Sequence, residues 1–445
     1  MTTGNKGKGD FCFRTLNYLG SKLRILDFIE EHVLRVTPDN AGVCDLFAGS
    51  GCVSYKLSSR FPVTACDIQH YSTILCNALL NPVGNAAATD FFTMLQLMTG
   101  PTRLEEAFSP MIQKECKAIA EMDLDVLAAI VEYGSIEVFR RERKRSAISN
   151  IQETVLSNLD AAGLDGSESF ISRNYGGVYF SYKQAVQIDT ILSAIRNNTT
   201  TSERDLFLAA LLSTASDIVD TVGKHFAQPI KTRDAKGNIK PLVYNKAVKD
   251  KTIDVLKLYG SWLQKYLDLP RGRFVNKTIQ GDYIHCLELL TDEVRTVYAD
   301  PPYTREHYSR FYHVLETMAL GDTPQISTVK IRGSFHASKG LYRCDRHQSP
   351  FCIRSMAPKA FDDMFKAVSL SRRNLLLSYS PYDEAKKAHP RVVTMRELVD
   401  WAKRYYRRVN VVSPGRFSHS KLNSNEHSLE SSNEAELLVV CTEAR

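Results

Sequence analysis

The chain has 445 residues, 43 % of them hydrophobic and 24 % charged, which excludes a chain dominated by disorder and leaves room for two to four domains. Its formal charge is +7 and its sequence pI near 8.7, a basic excess that favours an anionic partner such as nucleic acid. No stretch approaches the roughly 18–20 apolar residues of a membrane span. The N-terminal MTTGNKGKGD has no apolar core of a secretory signal, so residues 1–10 are expected to be disordered.

In chain order, residues 23–36 read as a first helix. Val43 to Phe47 form a short apolar run, read as a buried strand, and Ala48-Gly49-Ser50-Gly51 a turn into a helix ending near Ser58. Val63 to Ile68 read as a second strand and His70 to Leu80 as a second helix. A βαβα opening implies a parallel sheet with helices on its faces. From about 90 to 270 the periodicity is mostly helical, as in Met122 to Phe139 and Asp205 to Val222. The strand–helix rhythm resumes with strands at Lys277–Gln280, Arg295–Asp300 and Asn374–Ser380, and helices at Tyr283–Leu290 and Met395–Tyr406. Two last strands, Arg408–Ser413 and Glu436–Thr442, are joined by a polar loop without a helix, so they are expected to pair antiparallel. Two βα units alone are too few for a stable sheet, which argues for one α/β domain, residues 11–85 and 272–445, split by a helical insertion at 86–271.

Three segments carry chemistry. In Asp45-Leu46-Phe47-Ala48-Gly49-Ser50-Gly51 a glycine turn joins a strand to a helix whose free N–H groups can approach a ligand. Asp67 follows 22 residues after Asp45, at the end of the next strand, where a carboxylate meets a ribose diol. The dinucleotide pattern GxGxxG is not matched, so this part alone indicates a nucleoside ligand. In Asp300-Pro301-Pro302-Tyr303 an acid, a proline carbonyl and an aromatic ring suit a planar amine. The first two accept its hydrogen bonds and the ring stacks on it, a base that must leave the duplex to arrive. Asn17-Tyr18-Leu19-Gly20-Ser21-Lys22 precedes a helix; Tyr18 is read as lining a pocket and Lys22 as binding a carboxylate.

These segments, in this order, resemble the D12 class of adenine-specific DNA methyltransferases, including the Dam-like enzymes. The resemblance covers residues 11–80 and 275–442 well. It implies a Rossmann-like α/β fold, a mostly parallel sheet with an antiparallel C-terminal strand, and a helical target-recognition insertion. It implies S-adenosyl-L-methionine as cofactor, held by Tyr18, Lys22, Asp45, Phe47, Ala48, Gly49, Ser50, Gly51, Asp67, Ile68 and, in Gly281-Asp282-Tyr283, Asp282. Asp300, Pro301, Pro302 and Tyr303 then act on the N6 amine of an extruded adenine in double-stranded DNA. No metal is implied. A separate cognate restriction endonuclease, an orphan role and a phage role all remain compatible, in a cytoplasmic protein. The same tetrapeptide serves cytosine N4, and RNA or a catalytically inactive DNA-binding protein remain alternatives.

Cations expected to meet DNA are Arg140, Arg141 and Lys144 in a basic cluster, Lys231, Arg233 and Lys236 around a turn at 235–238, and Arg305 and Arg310 after the tetrapeptide. Arg343, Arg346 and Arg354 are further candidates. Ten cysteines occur without a CxxC pair, which fits reduced thiols. Cys344, His347 and Cys352 lack a fourth ligand at a spacing suited to zinc. Three aromatic strings, 174–180, 225–229 and 308–313, also look familial and have no assigned role.

Overall fold

A computed structural model describes residues 13–97, 102–270, 272–303, 308–380, 391–415 and 436–445. The expected disorder of residues 1–10 falls outside them. The main sheet contains β1 (Gly42–Asp45), β2 (Val63–Asp67), β3 (Lys277–Gln280), β4 (Val294–Ala299), β7 (Asn374–Tyr379), β8 (Tyr406–Val412) and β9 (Leu437–Ala444). A separate ribbon pairs β5 (Thr328–Ile331) with β6 (Ser334–Ala337). The main order is β3-β2-β1-β4-β7-β9-β8. The strands from β3 to β7 pair in parallel, and β9 inserts between β7 and β8, antiparallel to both. The fold is therefore Rossmann-like α/β, with one reversed strand at the C-terminus.

Alternation along the strands explains why the sheet is covered twice. Val297 and Ala299 of β4, with Leu375 and Leu377 of β7, enter a core shared with the helix Ala357–Leu370. Tyr298 and Leu376, one residue out of step, face the opposite core with the helices Leu26–Val36 and Cys52–Ser58. Both faces are covered, so β1 is buried at all four positions, Asp45 included.

Between β2 and β3 the described chain is mostly helical. The expected helix Met122–Phe139 is two, Leu124–Tyr133 and Ile136–Glu142. Ser135 caps the second by accepting from Val138 N at 3.3 Å, and a side chain at Gly134 would strike the Ile130 carbonyl. The helix expected from Asp205 starts at Thr201, after a Thr200–Glu203 capping box, and ends at Ile218. The helices from 104 to 164 share a core with Tyr182, Val186, Ile230, Val243 and Ala247. Thr201–Ile218 and Val255–Leu267 instead share a core with His70–Leu80, the helix following β2. The insertion is thus welded to the sheet layer. Between Tyr303 and Asn374 lie elements that the sequence reading leaves unassigned: the helices His313–Leu320 and Ala357–Leu370, and the β5–β6 ribbon. Among the described residues, no helix is long and apolar enough to cross a membrane.

Candidate active site

Strand order reverses between β1 and β4: the chain runs outward from β1 to β2 on one side, while β4 lies on the other. The loops leaving such neighbours diverge and open a crevice at their C-terminal ends. A cavity of about 280 Å³ lies here. Tyr18, Lys22, Asp45, Phe47, Ala48, Gly49, Ser50, Asp67, Ile68, Asp282 and all of Asp300–Tyr303 line it. Segments 18–22, 45–50, 67–68, 282 and 300–303 therefore meet in one place.

The glycines differ in task. Gly49, at φ 54°, donates its N–H to Asp67 Oδ2 at 2.8 Å, and an added Cβ would lie 2.8 Å from the Tyr18 hydroxyl oxygen. Only glycine lets that ring lie against the turn. Gly51, expected to contact a cofactor, lies outside the cavity lining. An added Cβ there would sit 2.8 Å from Leu79 Cδ1, so its absence lets two helices pack together.

The carboxylates are tightly constrained. Asp45 is 1 % exposed; its Oδ2 accepts from Ser54 Oγ at 2.6 Å. Its buried Oδ1 accepts no hydrogen bond from the described residues, which leaves a place for an N–H donor in the cavity. Burial pushes the Asp45 carboxyl up to about 7, against the pull of the Ser54 hydrogen bond. Asp67 accepts from Gly49 N and from Gln69 N at 2.9 Å, and each oxygen retains capacity for a second donor. The apolar walls beside it are Ile68, Phe47, Tyr283 and Phe351, with Phe47 and Tyr283 nearly parallel at 6.3 Å. Asp282 caps the following helix through Ile284 N and His285 N.

Lys22 departs from the sequence expectation. Its buried ammonium lies 2.8 Å from Asp300 Oδ2, 3.5 Å from Glu436 Oε1 and 3.3 Å from the Gly20 carbonyl. Three neighbours match its three donors, so its charge is directed at Asp300 and Glu436 rather than held out for a ligand carboxylate. Burial opposes that charge, and the two carboxylates override it, holding Lys22 well above the ordinary lysine value. For Asp300, burial raises the carboxyl, Lys22 pulls it down and Glu436 raises it again; the net shift is upward. Asp300 keeps 21 % of its side chain accessible at the cavity wall, so an oxygen remains for an incoming donor. Tyr303 hydrogen-bonds to Glu436 Oε2 at 3.3 Å, and Ser378 Oγ donates to Glu436 Oε1 at 2.7 Å.

Glu436 is expected from the sequence only as the start of the last strand, not as a site residue. Its signal is an acid immediately before the apolar start of β9, but a second acid, Glu434, lies two residues earlier and nothing local links Glu436 to Asp300. Tyr308 and the segment His347–Cys352 also wall the cavity unannounced. The three aromatic strings without a role converge. Tyr179 donates to the Phe226 carbonyl at 2.8 Å, and His313 pairs with the same carbonyl at 3.1 Å. Burial depresses the His313 pKa to about 3, so the ring is a neutral core group. Tyr312 of the same knot stacks on Tyr18 at 4.9 Å, joining it to the cavity.

Of the expected DNA cations, Lys144, Lys231 and Arg233 line a second, larger groove of about 860 Å³. Arg140 and Arg141 lie outside its lining, in surface pairs with Glu137 and Glu142. Lys236 is exposed in a turn closed by the Arg233–Ile239 bridge. Arg310 lies 5.9 Å from the Tyr342 ring, and Arg305 falls outside the described residues. Arg343 is buried between Asp322 and Asp345, so it cannot serve a phosphate. Lys246 and Lys251, in the basic segment 231–251, are likewise committed to Asp250 and Glu115. Among the described residues, no cluster of three His, Cys, Asp or Glu side chains is arranged to hold a metal ion.

The family model for D12 class N6 adenine-specific DNA methyltransferases matches residues 18–130 and 271–374, which include the β1 and β4 loops. The chain is 24 % identical over 377 residues to the type II methyltransferase M.FokI of Planomicrobium okeanokoites, covering 82 % of this chain and 44 % of that protein. It is 22 % identical over 390 residues to the modification methylase LlaI of Lactococcus lactis subsp. lactis, covering 88 % and 49 %. Against the type II methyltransferase M.NlaIII of Neisseria lactamica it is 23 % identical over 378 residues, covering 82 % and 83 %. The chain thus spans about half the length of the first two relatives and most of the third. The sheet order, the cavity at the β1–β4 reversal and this match agree: the chain is similar to the D12 class of N6 adenine-specific DNA methyltransferases.

Proposed function

We propose that this chain transfers a methyl group from S-adenosyl-L-methionine to the N6 amine of an adenine extruded from double-stranded DNA. The observation that carries the reading is that the loop Ala48–Ser50 after β1 and the tetrapeptide Asp300–Tyr303 after β4 wall the same cavity. The buried, unpartnered Asp45 Oδ1 fits the ammonium of the methionine moiety, Asp67 the ribose diol, and the slot of Phe47, Ile68, Tyr283 and Phe351 the purine. When bound, S-adenosylmethionine supplies an electrophilic methyl group on a sulfonium.

The chain's own residues do the rest. The Asp300 carboxylate and the Pro301 carbonyl accept hydrogen bonds from the exocyclic amine and draw its nitrogen toward tetrahedral geometry, freeing the lone pair. Lys22 holds Asp300 in place, and Tyr303, fixed through Glu436, offers a ring to the base. Rate acceleration on this reading comes from orientation and from fixed charge in a partly dry cavity. Residues 11–85 with 272–445 form the catalytic part and 86–271 the part that recognises the target sequence. Lys144, Lys231 and Arg233 meet phosphates, with Arg140, Arg141, Lys236, Arg305 and Arg310 as outer contacts. The type II names of the relatives favour a modification role beside a separate restriction endonuclease. The nine free cysteines among the described residues favour work in the cytoplasm, where thiols stay reduced.

Incubation with plasmid DNA and labelled S-adenosylmethionine, followed by nucleoside analysis, tests this directly. N6-methyladenine is expected. N4-methylcytosine would overturn the base assignment, and label entering RNA while DNA stays unlabelled would overturn the substrate.

A further inference from the structure

The β5–β6 ribbon has its root fixed and its tip bare. At the root, Ala337 N donates to Glu142 Oε1 at 2.7 Å, Ser338 N to the Ser327 carbonyl at 2.7 Å, and Cys344 N to the Gln325 carbonyl at 2.9 Å. Toward the tip, Phe335 is 69 % exposed, Ile331 51 % and Val329 43 %. The register places Lys330 opposite Phe335 on one face, and Val329 and Ile331 on the other. Arg332 and Gly333 turn the ribbon with positive φ of 48° and 90°, which puts a guanidinium at the extremity. Two strands alone are marginal in water, and large apolar side chains on both faces of such a ribbon call for a partner.

The charge selects that partner. No Asp or Glu occurs from Thr323 to Cys344, while Lys330, Arg332 and Lys339 lie in that stretch and make no ion pair among the described residues. The position fits as well. The chain leaves the catalytic cavity at Tyr308–Ser309, builds the ribbon and returns to the cavity at His347–Cys352. One edge of the ribbon, Ile331 with His336 to Lys339, borders the 860 Å³ groove that Lys144, Lys231 and Arg233 also line. A basic ribbon with one aromatic side chain, beside a groove rimmed with cations, matches a DNA major groove, which is ~12 Å wide and admits two strands.

We propose that the β5–β6 ribbon lies in the major groove of the substrate duplex beside the extruded base, with Lys330 and Arg332 on phosphates and Phe335 against base edges. This rests on the methyltransferase reading above and adds an element to it. The tip side chains are exposed among the described residues, so they can be changed without disturbing the fold.

The test uses the full chain, a substrate duplex and S-adenosylhomocysteine. The double variant Lys330→Ala/Arg332→Ala and the single variant Phe335→Ser are compared with wild type for duplex affinity across a range of salt. The double variant is expected to reduce the slope of log affinity against log salt by about 1.8, close to 0.9 per lost phosphate contact. Phe335→Ser is expected to weaken binding severalfold with the slope unchanged. S-adenosylhomocysteine affinity stays at the wild-type value in both. If wild type methylates the duplex and both variants match its affinity and slope, the ribbon proposal is overturned and the site reading stands. If the variants change self-association in sedimentation but not DNA binding, the ribbon meets a second copy of the chain, and the proposal is again overturned. If wild type neither binds nor methylates DNA, the site reading fails and takes the ribbon with it.

Discussion

The catalytic cavity and the groove beside the ribbon use charge in opposite ways. In the cavity Lys22, Asp300 and Glu436 are locked together, and Asp45 is buried with one oxygen unpartnered. Along the groove, Lys144, Lys231 and Lys339 stand at a wet edge and Arg233 shares Glu132. Charge inside a low-dielectric pocket sets orientation and proton affinity, and each group matters alone. Charge at a solvated surface acts by number and is screened by salt. The cavity should therefore respond to single substitutions and to pH, the groove to ionic strength.

The largest effect expected is from Asp300→Ala, which removes the acceptor for the amine. Single-turnover methylation should fall by at least about 10²-fold, the scale of losing one preorganised polar contact. Affinity for DNA and for S-adenosylhomocysteine should survive. Methylation at the wild-type rate would break the contrast at its strongest point.

Next comes Asp45→Asn, measured by calorimetric titration with S-adenosylhomocysteine. Loss of a charge-assisted hydrogen bond worth ~1.5–3 kcal/mol should weaken binding about ten- to a hundredfold. The sign with pH follows from the raised carboxyl. Asp45 is charged above about 7 and binds an ammonium only in that form, so wild-type affinity should decline as pH falls below about 7. The Asn variant should lack that decline, and an equal decline in both would remove Asp45 from cofactor binding.

Glu436→Gln should act more gently, lowering the turnover rate severalfold with less effect on the KM for DNA, because Tyr303 loses a charged anchor. It also removes a carboxylate that raises the Asp300 carboxyl. Asp300 must be ionised to accept from the amine, so the acid limb of the rate profile should move to lower pH in the variant. An unmoved limb would make Glu436 a packing residue only. Smallest are Lys144→Ala and Lys231→Ala, each expected to lower the salt slope of DNA binding by about 0.9 while leaving the pH profile unchanged.

Local signals made the cavity half legible in the sequence. β1, its glycine turn, β2 and Asp67 lie within 26 residues, and the tetrapeptide follows its own strand directly. The antiparallel C-terminal pair was legible because the polar, Ser/Asn-rich link between the two strands carries no helical pattern for a crossover. Glu436 was not, because its partners Lys22, Tyr303 and Ser378 come from three distant segments that only the sheet brings together. Lys22 looked free for a ligand for the same reason. Helix Ala357–Leu370 did carry a helical pattern, with Ala360, Phe361, Met364, Phe365 and Val368 buried on one face. The ribbon carried no alternation of core and solvent faces, since neither face is buried at its tip.

The central claim is that one cavity brings the methyl donor and the target amine face to face. A structure of the chain with S-adenosylhomocysteine and a duplex containing its methylation site tests that most directly. The account predicts the cofactor sulfur beside Ala48–Ser50, with the extruded adenine amine hydrogen-bonded to Asp300 and facing that sulfur. A cofactor bound elsewhere, or a target base left stacked in the helix away from Asp300, would contradict it.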